Sequence, residues 1–320
     1  KMENKFEITA VADISKNLTN YIADNALRFL DIRNQEQPFC LAVHFTAPHS
    51  PWAEECHPKE YYDLYRDCPF DSIPFEDIHP WVPDCDISFA DWKKKPHPGI
   101  RFIHANYAPI RETWLPYCRE SQRGYYAAVT AMDANLGRIL DRLEADGLLD
   151  STMIVFTSDN GSNMGHHGIV GKGNGTYPMN MYETSVKVPG IFAWPGHIPQ
   201  GVVSQTMVSH YDFMPTLLEM CGVPYQPKKE LPGRSFARVL TGESDSFRDE
   251  VVVYDEYGPV RMIRTREWKL VHRYPDGPDE LYDLVNDPGE RDNRIDEPAL
   301  QALRQAMQAR LTHWFDCYVD

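Results

Sequence analysis

No apolar run in this chain approaches the roughly 20 residues that a helix needs to span a bilayer, so no membrane span is expected. No C-x-x-C pair occurs among the seven cysteines, Cys40, Cys56, Cys68, Cys85, Cys118, Cys221 and Cys317. A structural zinc site therefore has no ligand frame. Four of them fall between Cys56 and Cys118, which leaves room for one or two disulfides in an exported protein. Scattered thiols of odd number fit a reducing compartment better, so the lean is cytoplasmic, with periplasmic and secreted settings left open. The N-terminus, KMENKFEITA, has no signal-peptide h-region. Basic charge is short as well, with 32 Lys and Arg against 47 Asp and Glu and a net charge of −15. That balance argues against nucleic acid or an anionic membrane as partner, while a local basic pocket for an anionic substrate stays compatible with it.

What is present centres on Thr152 to Lys172, TMIVFTSDNGSNMGHHGIVGK. Thr152 to Thr157 is β-branched and apolar without polar alternation, the pattern of a parallel strand buried on both faces. It stops at Ser158-Asp159-Asn160-Gly161. Ligands collect beyond the carboxyl ends of strands in open α/β sheets, so Asp159 and Asn160 are placed to offer two side-chain oxygens to one hard cation. Lys172, between Gly171 and Gly173, adds an ammonium where bare backbone lets a substrate approach. A metal, an ammonium and an open floor suit an anionic ester. Taken alone, Asp-Asn-Gly after a strand is also ordinary turn chemistry.

The rest of the chain reads as one large α/β unit with a small appendage. Apolar positions from Ile14 to Leu30 recur at helical spacing, with Asp13 or Ser15 as cap. Phe39 to Phe45, FCLAVHF, is a second continuous apolar run and an expected buried strand, with His44 a core histidine. At its end Pro48 and Pro51 bracket His49 and fix the backbone on either side of it. Residues 52–117 lose periodicity and gain Pro, Trp, Tyr and Asp, which suits a substrate-facing insertion. In it Trp81, Trp92 and Trp114 either stack on a sugar or aryl group or form a local aromatic core. Arg123 to Gly147 is the clearest helix, with Tyr126, Val129, Met132, Leu136, Ile139, Leu140 and Leu143 as its apolar face and Gly147 as its stop. Val188 to Trp194 predicts a further strand, and Asp212 the cap of a short helix through Met220. Residues 251–257, 260–265, 268–273 and 281–284 predict an antiparallel meander covered by a terminal helix over 298–315.

TSDNG, GHHG, GKG, Tyr182-Glu183, Val188-Pro189 and Trp194-Pro195-Gly196, in this order and spacing, resemble the second signature region of the type I sulfatases. YYAAVTAMDANLGRILDRLEADGLLD before it and Glu280-Leu281-Tyr282-Asp283-Leu284 with Asp287-Pro288 and Glu290 after it extend the resemblance over almost the whole chain. The resemblance implies an alkaline-phosphatase-like, doubly wound α/β sheet over 1–245, incomplete at its N-terminal side, and a small α+β subdomain over 246–320. It implies a sulfuric ester hydrolase acting on a small-molecule or glycan sulfate ester. Asp159 and Asn160 would be metal ligands, to calcium first and magnesium second, Lys172 and His49 catalytic groups, and His167 a contact to substrate.

One departure is equally informative. Such enzymes use a formylglycine made in a C-x-P-S-R or C-x-A-S-R motif, and none of the seven cysteines begins one. Asp159 and Asn160 also fall short of the six to eight oxygens that calcium takes. The expectation is that the nucleophile and the remaining ligands come from a segment preceding this one or from a second copy. A phosphate or phosphonate monoester hydrolase of the same superfamily is the nearest rival, disfavoured because such enzymes often carry Asp-His where Asp159-Asn160 stands. A non-catalytic anion-binding remnant is the other.

Overall fold

The computed structural model describes residues 18–71, 73, 76–82, 110–227, 229–255, 259–275 and 277–319. Asp13, Ser15, Cys85 and Trp92 lie outside the described residues. Helix α1, Leu18–Ile32, buries Ala23, Ala26 and Leu30 on one stripe. A short turn of helix, α2, covers Lys59–Tyr62. Helix α3 runs Ile110–Ala145, 36 residues. It starts upstream of the expected Arg123 and takes in Pro116 and the end of the stretch read as an insertion. Tertiary contacts override the local breaker. The Trp114 indole donates to the Glu76 carbonyl at 3.1 Å and the Tyr62 hydroxyl to Glu120 at 2.7 Å, holding the first turns in place.

The deepest line of α3 is also not the one expected. Ala127, Ala128, Ala131 and Asn135 are buried along with Ile139 and Leu143, whereas Tyr126, Val129, Met132, Leu136 and Leu140 are half-buried. Small side chains let α1 come close, and the Asn135 amide donates to the Asn20 side-chain oxygen at 2.7 Å across the gap. The helix ends as Gly147 predicts, at φ 65°, with Leu148 N–H on the Leu143 carbonyl at 2.8 Å.

Strand β1, Ile154–Thr157, leads to a small two-stranded ladder of β2, Asn163–Met164, and β3, Val170–Gly171. A single turn, α4, Glu183–Val186, precedes β4, Gly190–Ala193. β1 pairs with β4 antiparallel, Val155 opposite Phe192. The expected parallel strand buried on both faces is therefore corrected: the chain turns back after residue 158, and β1 is half-buried. Phe39 to Phe45 is corrected too. It is extended but joins no ladder among the described residues. Leu41, Val43 and Phe45 pack on Ala23, Ala26 and Ile139, while Cys40, Ala42 and His44 face outward. An unbroken apolar run looks two-faced in sequence. Here one face is covered, so His44 sits on the open row and is exposed, not a core histidine.

Helix α5, Phe213–Met220, and the turn α6, Ala237–Leu240, follow. Asp212 does not cap α5 with its side chain. Fully buried, its carboxylate accepts from Ser209 N–H at 2.9 Å and Arg234 N–H at 3.0 Å and pairs with Arg248. The meander is as expected: β5 Val251–Asp255, β6 Val260–Arg264, β7 Trp268–Arg273 and β8 Glu280–Asp283 lie in that order, all antiparallel. Helix α7, Gln301–Tyr318, lays Met307, Leu311 and Phe315 on Val252, Ile263, Leu270 and Leu281. Cys40, Cys56, Cys68, Cys118, Cys221 and Cys317 are all free thiols. Among the described residues no helix is long and apolar enough to cross a membrane.

Candidate functional site

Ser158 to Gly161 leaves β1 and seats on α4. Gly161 N–H donates to the Ser185 carbonyl at 2.9 Å. A Cβ at Gly161 would stand 2.2 Å from the Thr184 carbonyl oxygen, so glycine is required for the close approach. The Asp159 carboxylate is exposed, with Oδ1 accepting from Asn160 N–H at 2.8 Å. From the other side Lys172, half-buried, donates from Nζ to Asn160 Oδ1 at 3.0 Å. The structure thus brings together Asp159, Asn160 and Lys172, three of the residues singled out in sequence.

His49 lies on the loop after the Phe39 to Phe45 segment. It is exposed, and its Nδ1 lies 2.9 Å from the Ser50 carbonyl and 3.3 Å from the Ser50 hydroxyl. Among the described residues no hydrogen bond joins it to Lys172, Asp159 or Asn160. Its loop is held from behind: the Trp52 indole donates to the Pro48 carbonyl at 2.9 Å, and Trp52 lies on α3 at Gly124, where a Cβ would fall 2.0 Å from the Trp52 carbonyl oxygen.

His167 occupies the left-handed region at φ 57° and stacks on Tyr182, ring centroids 3.7 Å apart and planes 6° from parallel. Burial, with Arg291 second, pushes its pKa down to about 4, so the imidazole is neutral at neutral pH. Around it sit His166 and Tyr182 from the signature motifs, together with Glu76, His79 and Arg291, which no motif marked. Trp81 N–H donates to His79 Nδ1 at 3.1 Å, which leaves the hydrogen on Nε2, 3.2 Å from the Tyr182 hydroxyl. Burial lowers the pKa of His79 and His166 and raises that of Tyr182 to about 12. The Glu76 carboxylate, which burial alone would push up, is drawn below its usual range by Arg291 and the His167 backbone. Trp81 lies under the Arg273 guanidinium at 4.9 Å and Trp114 against Tyr117 at 6.0 Å, so both are engaged within the protein.

A hard divalent cation takes oxygen donors. A carboxylate and an amide oxygen are right in kind, and Asp159 is open to solvent. They are short in number. Asn160 Oδ1 already faces an ammonium, and among the described residues no group of three or more His, Cys, Asp or Glu could hold a metal. Asp159 and Asn160 fit as two members of a larger shell.

The family model described as Sulfatase matches residues 2–223, and one described as N-sulphoglucosamine sulphohydrolase, C-terminal, matches residues 175–316. The choline-sulfatase of Rhizobium meliloti is 29% identical over 307 residues, covering 92% of this chain and 55% of that protein. In shape the chain is similar to BT4656 solved in complex with its substrate D-glucosamine-2-N,6-O-disulfate, with TM-score 0.72, 25% identity, and 94% and 69% of the two chains covered. It is also similar to the phosphonate monoester hydrolase of Agrobacterium radiobacter, with TM-score 0.68, 25% identity, and 92% and 60% covered. These likenesses give the alkaline-phosphatase-like α/β fold. The chain spans about half the length of the curated relatives it matches.

Proposed function

Because the chain belongs to the sulfatase family, we propose that the protein it forms part of hydrolyses sulfate esters, and that residues 159–172 carry half of its active centre. The observation that carries this reading is the Lys172 ammonium hydrogen-bonded to Asn160 at 3.0 Å beside the open Asp159 carboxylate. An ammonium beside hard oxygens is the constellation that an anionic ester requires.

Asp159 and Asn160 would hold a divalent metal, calcium in preference to magnesium, which when bound supplies positive charge against the sulfate oxygens. A formylglycine nucleophile would come from outside these residues, since no cysteine here begins the required motif. Lys172 binds and orients the ester and stabilises negative charge on the leaving oxygen. His49, exposed on a loop anchored by Trp52, donates a proton to that oxygen as the S–O bond breaks. His167, neutral and stacked on Tyr182, offers a flat wall to the alcohol portion of the substrate. The names of the relatives, a choline-sulfatase and a protein bound to a sulfated glucosamine, support an alkyl or glycan sulfate as substrate class.

The test uses the complete protein with the upstream segment. Lys172→Ala or His49→Ala should slow alkyl and sugar sulfates more than activated aryl sulfates, because only a basic leaving oxygen needs the help. Equal losses across the series would remove both from that role. The likeness in shape to a phosphonate monoester hydrolase favours a second reading, so the same preparation should be offered a phenyl phosphonate ester. Faster turnover of the phosphonate would replace sulfate as the substrate class.

A further inference from the structure

Lys269 in β7 is fully buried, which is costly for an ammonium unless every N–H is met. All three are. Nζ lies 2.6 Å from Glu290 Oε1, 2.7 Å from Glu183 Oε1 and 3.0 Å from the Met181 carbonyl. Glu290 spends its second oxygen on the backbone N–H of Glu183, at 2.7 Å. Glu183 in turn accepts from Arg264 Nε in β6, both oxygens at 3.2 Å. Two cations and two carboxylates thus close a neutral knot between the C-terminal sheet and the first residue of α4.

Past that residue α4 branches towards both halves of the candidate site. On one side the Ser185 carbonyl takes Gly161 N–H at 2.9 Å, next to Asn160. On the other, the Ser185 hydroxyl donates to Asn180 Oδ1 at 2.7 Å, and the Asn180 amide donates to the Lys172 carbonyl at 3.2 Å. Asn163 ties the two, donating to Ser185 Oγ at 2.6 Å and to the Gly171 carbonyl at 3.2 Å. Every link is a directional hydrogen bond, so a shift of α4 is transmitted to the Asn160 turn and to the Lys172 backbone together.

We infer that Lys269 and Glu290 are positioning residues: from the C-terminal sheet they set the contact between Lys172 and Asn160. The inference rests on the reading of Lys172 as a functional group only for its consequence in catalysis, not for the geometry. Glu290→Gln is the sharper variant, because an amide has one acceptor oxygen where two donors need one each. Lys269→Arg retains charge and donors, whereas Lys269→Met removes both.

The first readout, taken in the complete protein, is the acylation rate of Lys172 by an amine-reactive acetyl ester, followed by peptide mass mapping at neutral pH, with the exposed Lys59 as internal control. In Glu290→Gln, Lys172 should label about tenfold faster than in the parent and Lys59 at the same rate, with Lys269→Arg in between. Unchanged Lys172 labelling in a cooperatively melting Glu290→Gln variant would overturn the inference. Lys269→Met should go further, and if it fails to fold Glu290→Gln decides alone. In the complete protein, Glu290→Gln should lower kcat for alkyl sulfates more than for aryl sulfates with KM little changed. If labelling rises but Lys172→Ala itself leaves sulfate release intact, the positioning stands and the catalytic reading of Lys172 falls.

Discussion

The imidazole of His167 lies face to face with the ring of Tyr182 at 3.7 Å, on a backbone twisted into the left-handed region. Burial holds that imidazole neutral down to about pH 4, where a free histidine would already be protonated near 6.5.

That depression makes stability depend on pH. Above about pH 6.5 neither folded nor unfolded chain protonates the group, and it contributes nothing to pH dependence. Below it the unfolded chain binds the proton first, so stability falls as pH drops from about 6.5 to about 4 and levels off beneath. Urea midpoints across this window should decline in the parent. His167→Asn, which tolerates the same backbone, should remove a part of the decline on the order of 2 kcal/mol. His57, His79 and His166, lowered by burial as well, would keep the remainder. An identical decline in His167→Asn would assign the effect to those groups alone.

Two glycines of α3 make a matched pair. Gly→Ala inside a helix should stabilise by about 1 kcal/mol on propensity alone. At Gly137 a Cβ meets nothing within 4 Å, and Gly137→Ala should show that gain in thermal melting. At Gly124 the Cβ would fall 2.0 Å from the Trp52 backbone oxygen, and Gly124→Ala should instead lose about 2 kcal/mol and shift Trp52 fluorescence as the His49 loop lifts. A gain at both positions would detach that loop from the helix.

Removing one partner from the buried Arg248 and Asp212 pair leaves a charge without a counter-ion. Asp212→Ala should destabilise by about 3–5 kcal/mol in urea unfolding and also free Ser209 and Arg234 backbone donors. A loss below about 1 kcal/mol would mean that the pair is hydrated in solution.

Metal binding separates the chain from the complete protein. With Asp159 and Asn160 as its two candidate donors and no group of three or more ligands among the described residues, this chain should bind calcium or magnesium weakly or not at all in calorimetric titration, and the complete protein tightly, with Asp159→Ala abolishing it. Tight binding by this chain that survives Asp159→Ala would place the site elsewhere.

The solution state follows from unpaired backbone. Phe39 to Phe45 is extended without a ladder partner among the described residues, and β4 exposes Ile191. The chain alone should therefore pair these edges with another copy, or require its upstream segment. Light scattering that shows a cooperatively melting monomer would refute this.

Local chemistry was legible where it is local. The Asp159-Asn160-Gly161 turn, the Lys172 between glycines, the Gly147 stop and the β5 to β8 meander all rest on spacing and turn residues, which act over a few positions. Strand direction at β1 did not, because an apolar run is the same whether its neighbour runs parallel or antiparallel, and only the return of the chain to β4 settled it. The exposure of His44 likewise depends on what covers the second face of its segment. Lys269 reads in sequence as one more strand lysine, Trp-Lys-Leu. Only the fold delivers Glu183 and Glu290, remote in sequence, to its ammonium, because neutralising a buried charge takes partners that the chain can assemble from a distance but cannot announce by spacing.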